Sequence, residues 1–162
     1  TTRVGEGPFP TELNDNIGEH LGVRGQEFGT VTKRKRRCGW FDSVLLKQSI
    51  NLNGITDIVL TKLDVLDELE EIKVCIGYDI EGKKYDYLPS SEFLYEKIKP
   101  VYKTIAGWQT STAGISNFNN LPNKAINYIK ILEDLMEIKI SIVSTGPDRK
   151  ETIDINGTLL NI

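Results

Sequence analysis

Apolar positions along this chain switch between two spacings, and the switches divide it into alternating helical and extended segments. Ile126, Ile129, Leu132 and Met136 recur at three- and four-residue steps behind Pro122, which predicts an amphipathic helix beginning near that proline. Leu46 and Ile50 predict another helix that runs to about Leu52, capped by Asp42 and Ser43 and stopped by Asn53-Gly54. Behind the turn-rich residues 5–10, a short helix is expected over 12–21, with Gly22, Gly25 and Gly29 breaking the stretch after it. The β-rich runs 58–60, 72–78, 85–88, 100–105 and 138–143 read as strands, and residues 79–83 read as a hairpin turn. Pro89-Ser90-Ser91 predicts the start of a helix to about Ile98. The acidic run 64–71 reads as a solvated turn or short helix, and 107–120 as a long irregular loop anchored by Trp108.

Alternation of this kind predicts an α/β fold, in which ligands bind beyond the carboxyl ends of strands. Two strand exits carry polar turns, Thr61-Lys62-Leu63-Asp64 and Ser144-Thr145-Gly146. A strand-end Asp is an ordinary turn former. Lys62 and Asp64 also suit a guanine, whose edge presents two adjacent N–H donors that one carboxylate can accept, while the Lys stem covers the ring face. Ser144-Thr145-Gly146 reads equally as a plain turn or as a set of backbone groups and hydroxyls for a base or phosphate. No repeat, linker or low-complexity stretch interrupts the chain, so residues 1–162 read as one domain or one piece of a domain.

At 162 residues and 39% hydrophobic content the chain has the size of an ordinary domain. Its net charge of −3 argues against a general nucleic-acid or membrane-surface protein, so any basic site must be local. Lys33-Arg34-Lys35-Arg36-Arg37 is such a site. The run fits a solvated loop, a patch for RNA or a transport receptor, or a clamp for small anions, since a guanidinium binds a carboxylate or phosphate through two parallel hydrogen bonds. Gly29, Thr30 and Thr32 beside it favour the clamp. Cys38 and Cys75 belong to no metal or redox cluster, which suits a reducing compartment. With no membrane-length apolar run and no signal-like start, a soluble, cytoplasmic protein is expected. His20, the only histidine, has no partner pattern nearby and reads as a surface residue, and no phosphate loop, metal-ligand cluster or nucleophile motif occurs. The opening Thr1-Thr2-Arg3-Val4-Gly5 reads as though entered in mid-domain.

Five blocks stand in order: Thr1 to Glu12 (TTRVGEGPFPTE), Gly25 to Gly29 (GQEFG), Arg34 to Asp42 (RKRRCGWFD), Leu60 to Asp67 (LTKLDVLD) and Ser144 to Arg149 (STGPDR). Together they resemble the C-terminal part of adenylosuccinate synthetase over essentially the whole chain. That family joins IMP and L-aspartate at the expense of GTP, first phosphorylating the 6-oxygen of IMP and then displacing the phosphate with the aspartate amine. The resemblance implies the C-terminal portion of a single large α/β domain with a central mixed sheet, P-loop NTPase-like and incomplete here.

By the same resemblance, Thr30, Val31, Thr32, Lys33, Arg34, Lys35 and Arg36 would hold aspartate, with Arg34 also reaching IMP and Arg36 the GTP side. Val4 would contact the IMP ribose. Lys62, Leu63 and Asp64 would recognise guanine, supported by Ser144, Thr145 and Gly146. The family's phosphate loop, general base, general acid and Mg2+ ligands belong to its N-terminal part, so no catalytic or metal residue is expected here and the isolated chain is expected to be inactive. Family members are homodimers, and neither membrane nor nucleic-acid binding is implied. Lys33 stands where the family usually has Gly, and Val31 where Thr is common. If the backbone at 33 needs a positive φ, the Lys costs about 1 kcal/mol. The alternative reading is a noncatalytic RNA-binding or interaction module built on loop 33–37, whose binding would be salt-sensitive and indifferent to Asp64.

Overall fold

Strands and helices alternate in the computed structural model, which describes residues 1–155 and Gly157, and the chain divides into two units. The first comprises Thr1–Gln48 with Lys73–Thr104, and the second comprises Ser49–Ile72 with the chain from Ile105 onward. The expected end of the domain at Ile162 lies outside the described residues.

In the first unit, β1 (Thr2–Arg3) pairs antiparallel with β2 (Arg37–Cys38), and α1 (Asn16–Arg24) packs on β2. The α1 helix starts later than residue 12 and runs past Gly22. Its start is displaced because Leu13 N–H donates to Cys38 O at 2.9 Å, leaving Asp15 to cap the helix by accepting from Ile17 and Gly18 N–H at 3.0 Å. Gly22 lies within the helix, where a Cβ would meet Lys35 Cε at 3.3 Å and Cys38 Sγ of β2 at 3.8 Å. His20, on this helix, is half-buried rather than at the surface.

Strand β3 (Phe41–Asp42) leads directly into α2 (Ser43–Asn53), which holds its expected bounds within a residue. Asp42 caps it, accepting from Leu45 N–H at 3.0 Å and from the Tyr78 hydroxyl at 2.6 Å. Burial pushes the Asp42 carboxyl above its ordinary value while the Tyr78 hydrogen bond opposes that rise. β3 runs parallel to the long β5 (Glu71–Ile80), which turns through Glu81 and Gly82 into antiparallel β6 (Lys83–Tyr85). Both turn residues have positive φ, the pattern of a two-residue type I′ hairpin. β6 shares only Tyr85 with the expected run 85–88: the tight turn starts it two residues early, and residues 86–88 are not strand. The helix expected to reach Ile98 is only a 3₁₀ turn, Glu92–Lys97, before β7 (Ile98–Ala106), which pairs with β5. Val44, Cys75 and Tyr78 form the buried centre of this sheet, and burial pushes the Cys75 thiol up to about 12.

The second unit is built on β4 (Asp57–Leu60), which pairs parallel with β8 (Lys139–Ser144). β9 (Thr152–Asp154) adds antiparallel to β8, so both larger sheets of the chain are mixed. α3 (Asn123–Met136) follows Pro122 and packs on β8 with Ala125, Tyr128, Ile129, Leu132 and Met136 buried. Ile126, expected on that face, is only half-buried; Ala125 joins the stripe instead, three and four residues before the buried Tyr128 and Ile129.

The acidic run forms the expected turn or short helix but is not solvated throughout. It contains a 3₁₀ turn, Leu63–Leu66, whose Leu63 and Val65 are buried, and Asp67 beyond it is 3% exposed. An unpartnered buried carboxylate would be costly, and Asp67 accepts from Trp108 Nε1–H at 2.7 Å, Thr112 N–H at 2.8 Å and the Thr112 hydroxyl at 2.7 Å. Trp108 thus anchors the 107–120 loop, as expected. Gly107 is required at its start, because its N–H reaches Glu70 O at 2.7 Å and any Cβ would collide with Leu69 O.

Candidate functional site

Each unit brings one set of the expected site residues together. In the second unit, parallel pairing of β4 and β8 sets their carboxyl ends side by side, so the turn holding Lys62, Leu63 and Asp64 lies against Ser144, Thr145 and Gly146. Lys62 adopts left-handed backbone (φ 59°, ψ 44°), and its N–H donates to Ser144 Oγ at 3.0 Å. This bond links residues 82 positions apart in the sequence.

The six residues differ in what they leave available. The Lys62 side chain is exposed and Asp64 is half-buried. Leu63 is 1% exposed, so only its backbone can meet a ligand. Thr145 is fully buried: its hydroxyl donates to Ile115 O at 2.7 Å and its N–H to Glu151 O at 2.9 Å. These bonds brace the turn that carries Ser144 and Gly146. Gly146 lies against the Glu151 carboxylate, where a Cβ would clash, and Glu151 is held by the capping box with Asp148.

In the first unit, β1–β2 pairing sets Arg3 opposite Arg37, which brings Val4, just past β1, beside the end of the basic loop just before β2. Val4 is 76% exposed. The loop is a hairpin: Phe28 bridges Lys35, Gly29 N–H donates to Arg34 O at 2.8 Å, and Thr30, Val31, Thr32 and Lys33 form its exposed tip. Lys33 N–H donates to Gly29 O at 2.9 Å, and Lys33 has φ 55°, a conformation that disfavours any side chain with a Cβ. Lys33→Gly is expected to raise stability by about 0.5–1 kcal/mol in urea unfolding.

The five cations do not act as one clamp. Lys35 pairs with Glu19, and Arg36 reaches Glu27 Oε2 at 3.0 Å. Arg37 makes a two-pronged pair with Glu12 (2.8 and 2.5 Å), donates to Gly7 O at 2.9 Å and Gly5 O at 3.3 Å, and lies over the Phe9 ring at 5.5 Å. That pairing holds the Glu12 carboxyl below its ordinary value of 4.5, through the Arg37 hydrogen bonds first. Three of the cations therefore shape the loop. Lys33 and Arg34 are exposed, with no side-chain partner among the described residues. A cavity of about 320 Å³ opens beside this region, lined by Glu12, Asp15, Glu19, Lys35, Arg36 and Arg37 among others.

Among the described residues, no group of three or more His, Cys, Asp or Glu side chains has the arrangement of a metal site. Both cysteines are free and buried, and no helix among the described residues is long and apolar enough to cross a membrane.

The sequence model of one protein family, described as adenylosuccinate synthetase, matches residues 1–153. The chain belongs to the adenylosuccinate synthetase family. A solved structure agrees, that of a fully ligated adenylosuccinate synthetase from Plasmodium falciparum, 40% identical with a TM-score of 0.90. The match covers 95% of this chain and 37% of that one, so the chain spans little more than a third of that synthetase's length. The α/β fold with mixed sheets is thus that of an adenylosuccinate synthetase, and the family carries ligase activity in purine biosynthesis.

Proposed function

We propose that this chain is the C-terminal part of an adenylosuccinate synthetase domain and supplies its guanine-reading turns and its aspartate- and IMP-binding loop. The whole enzyme would ligate IMP and L-aspartate with GTP as phosphoryl donor, through 6-phosphoryl-IMP. The observation that carries the reading is the Lys62 N–H to Ser144 Oγ bond, which joins the two strand-exit turns into one surface that includes the half-buried carboxylate of Asp64. A carboxylate there accepts both N–H donors of a guanine edge. Ser144 and the backbone of Leu63 and Gly146 complete that edge, and the Lys62 stem covers the ring.

On the anion side, Arg34 and Lys33 are the cations left available for a carboxylate or phosphate, with Thr30, Thr32 and the backbone of Val31 at the same hairpin tip. Val31 brings no hydroxyl, so aspartate would be held mainly by charge. Val4 offers an apolar contact to the IMP ribose. Arg36 would reach GTP or IMP by sharing its guanidinium with Glu27. Lys35 is spoken for by Glu19, which assigns it a lesser part. Mg2+, the phosphate loop of a P-loop NTPase-like fold and the proton-transfer groups would come from the part of the enzyme outside these residues, in a cytoplasmic homodimer.

The test is reconstitution. The 162-residue chain alone is expected to form no adenylosuccinate, and mixed with the family's N-terminal part it is expected to do so with GTP and not with ATP. Turnover by the chain alone, or reconstituted turnover with ATP equal to that with GTP, overturns the reading. Salt-sensitive RNA binding that ignores Asp64→Asn would instead favour an interaction module.

A further inference from the structure

We infer that Asp67 is a positioning residue for guanine selection, acting through the loop 107–120 as a brace shared by both strand-exit turns. This rests on the reading in which Asp64 accepts the guanine edge. Asp67 closes the turn that carries Asp64, its N–H donating to Asp64 O at 3.2 Å. Its buried carboxylate is saturated by loop donors: Trp108 Nε1–H and the Thr112 hydroxyl on one oxygen, Thr112 N–H on the other. Charge-assisted bonds of this length are about twice as strong as neutral ones, and they fix direction as well as distance.

The same loop grips the second turn, where Thr145 donates its hydroxyl to Ile115 O at 2.7 Å. Residues 112 and 115 are tied to each other by the Ile115 N–H to Thr112 O bond at 3.1 Å. A continuous path therefore runs from Asp64 through Asp67, Thr112, Ile115 and Thr145 to Ser144, which returns to Lys62 by its own hydrogen bond. The ring so formed fixes the separation of the carboxylate from the opposite turn. A guanine edge needs that separation held to a few tenths of an ångström, because its two donors must both meet Asp64 within ordinary hydrogen-bond range.

The test uses the complete synthetase, comparing kcat/KM for GTP with that for ITP, whose base lacks the 2-amino donor. Asp67→Asn places an amide where a donor-rich pocket needs an acceptor. It is expected to lower the GTP-over-ITP preference about tenfold, mainly through the GTP KM, with the IMP and aspartate KM values unchanged. Loss of folded protein affects both nucleotides equally and cancels in the ratio. Trp108→Phe and Thr112→Val, which each remove a side-chain donor and retain the carboxylate, are expected to lower the ratio about two- to threefold, and they serve if Asp67→Asn does not fold. An unchanged ratio in the folded variants overturns the inference. Asp64→Asn run in parallel separates the failures: a preserved preference there sinks the guanine reading itself, whereas a lost preference there with an intact one at Asp67 sinks only the brace.

Discussion

Asp64→Asn in the complete synthetase is expected to cut kcat/KM for GTP by about 10- to 100-fold, the worth of a bidentate base contact, and to raise the use of XTP. The reason is donor and acceptor matching. Guanine presents two donors to the Asp64 carboxylate, and an asparagine amide turns one acceptor into a donor that faces a donor. Xanthine carries a carbonyl in place of the 2-amino group, so the same amide finds an acceptor there. The gain with XTP matters more than the loss with GTP, since misfolding cannot produce it. Steady-state kinetics with both nucleotides, at saturating IMP and aspartate, read the two effects together. A variant that loses GTP and XTP use in parallel would assign Asp64 a structural part only.

Replacing Arg34 and replacing Arg37 are expected to fail in opposite ways, although the two stand three positions apart in one basic run. Arg34 is exposed and its guanidinium has no partner among the described residues, so Arg34→Ala is expected to leave thermal stability unchanged. Losing a charged hydrogen-bond donor to an anionic ligand costs about 1.5–3 kcal/mol, which predicts a rise of about 10- to 100-fold in the aspartate or IMP KM. Arg37, by contrast, ties Glu12, Gly5 and Gly7 to β2. Arg37→Ala leaves those acceptors without it and is expected to destabilise the fold by about 2 kcal/mol, and lysine, lacking the fork, restores only part of it.

The pair also sets a pH dependence. Because the folded-state pKa of Glu12 is depressed below 4.5, its contribution is present above that value and is lost as the pH falls through the lower folded value. Arg37→Ala abolishes that contribution, so its acid unfolding profile should be flatter than the parent's in this range. Equal KM defects and equal stability losses in the Arg34 and Arg37 variants would contradict the division.

The apolar runs made α2, α3 and the strands β4, β5, β7 and β8 legible but not the short β1, β2, β3 and β9, and strand exits carrying Lys62–Asp64 and Ser144–Gly146 were visible as places for a ligand. Periodicity does not name strand partners, so the parallel β4–β8 pairing that sets these turns side by side could not be read from 58–60 and 138–143 alone. Asp67 was hidden for another reason. It stands among Asp64, Glu68, Glu70 and Glu71, where charge density reads as solvation, and only the fold supplies Trp108 and Thr112, more than forty positions on, to make burial favourable. The basic run misled in the same sense. Nothing local distinguishes Arg34 from Arg37, because Glu12, which claims Arg37, lies 25 residues earlier. At Lys33 the sequence posed a conditional, and its left-handed backbone answers it.

A structure of the complete synthetase with GDP would decide the guanine assignment. Both Asp64 carboxylate oxygens should lie about 2.7–3.0 Å from N1 and N2 of the guanine, with the Lys62 stem over the ring and the Lys62–Ser144 bond retained. A guanine bound away from Asp64, or one whose edge meets only water there, would contradict that assignment.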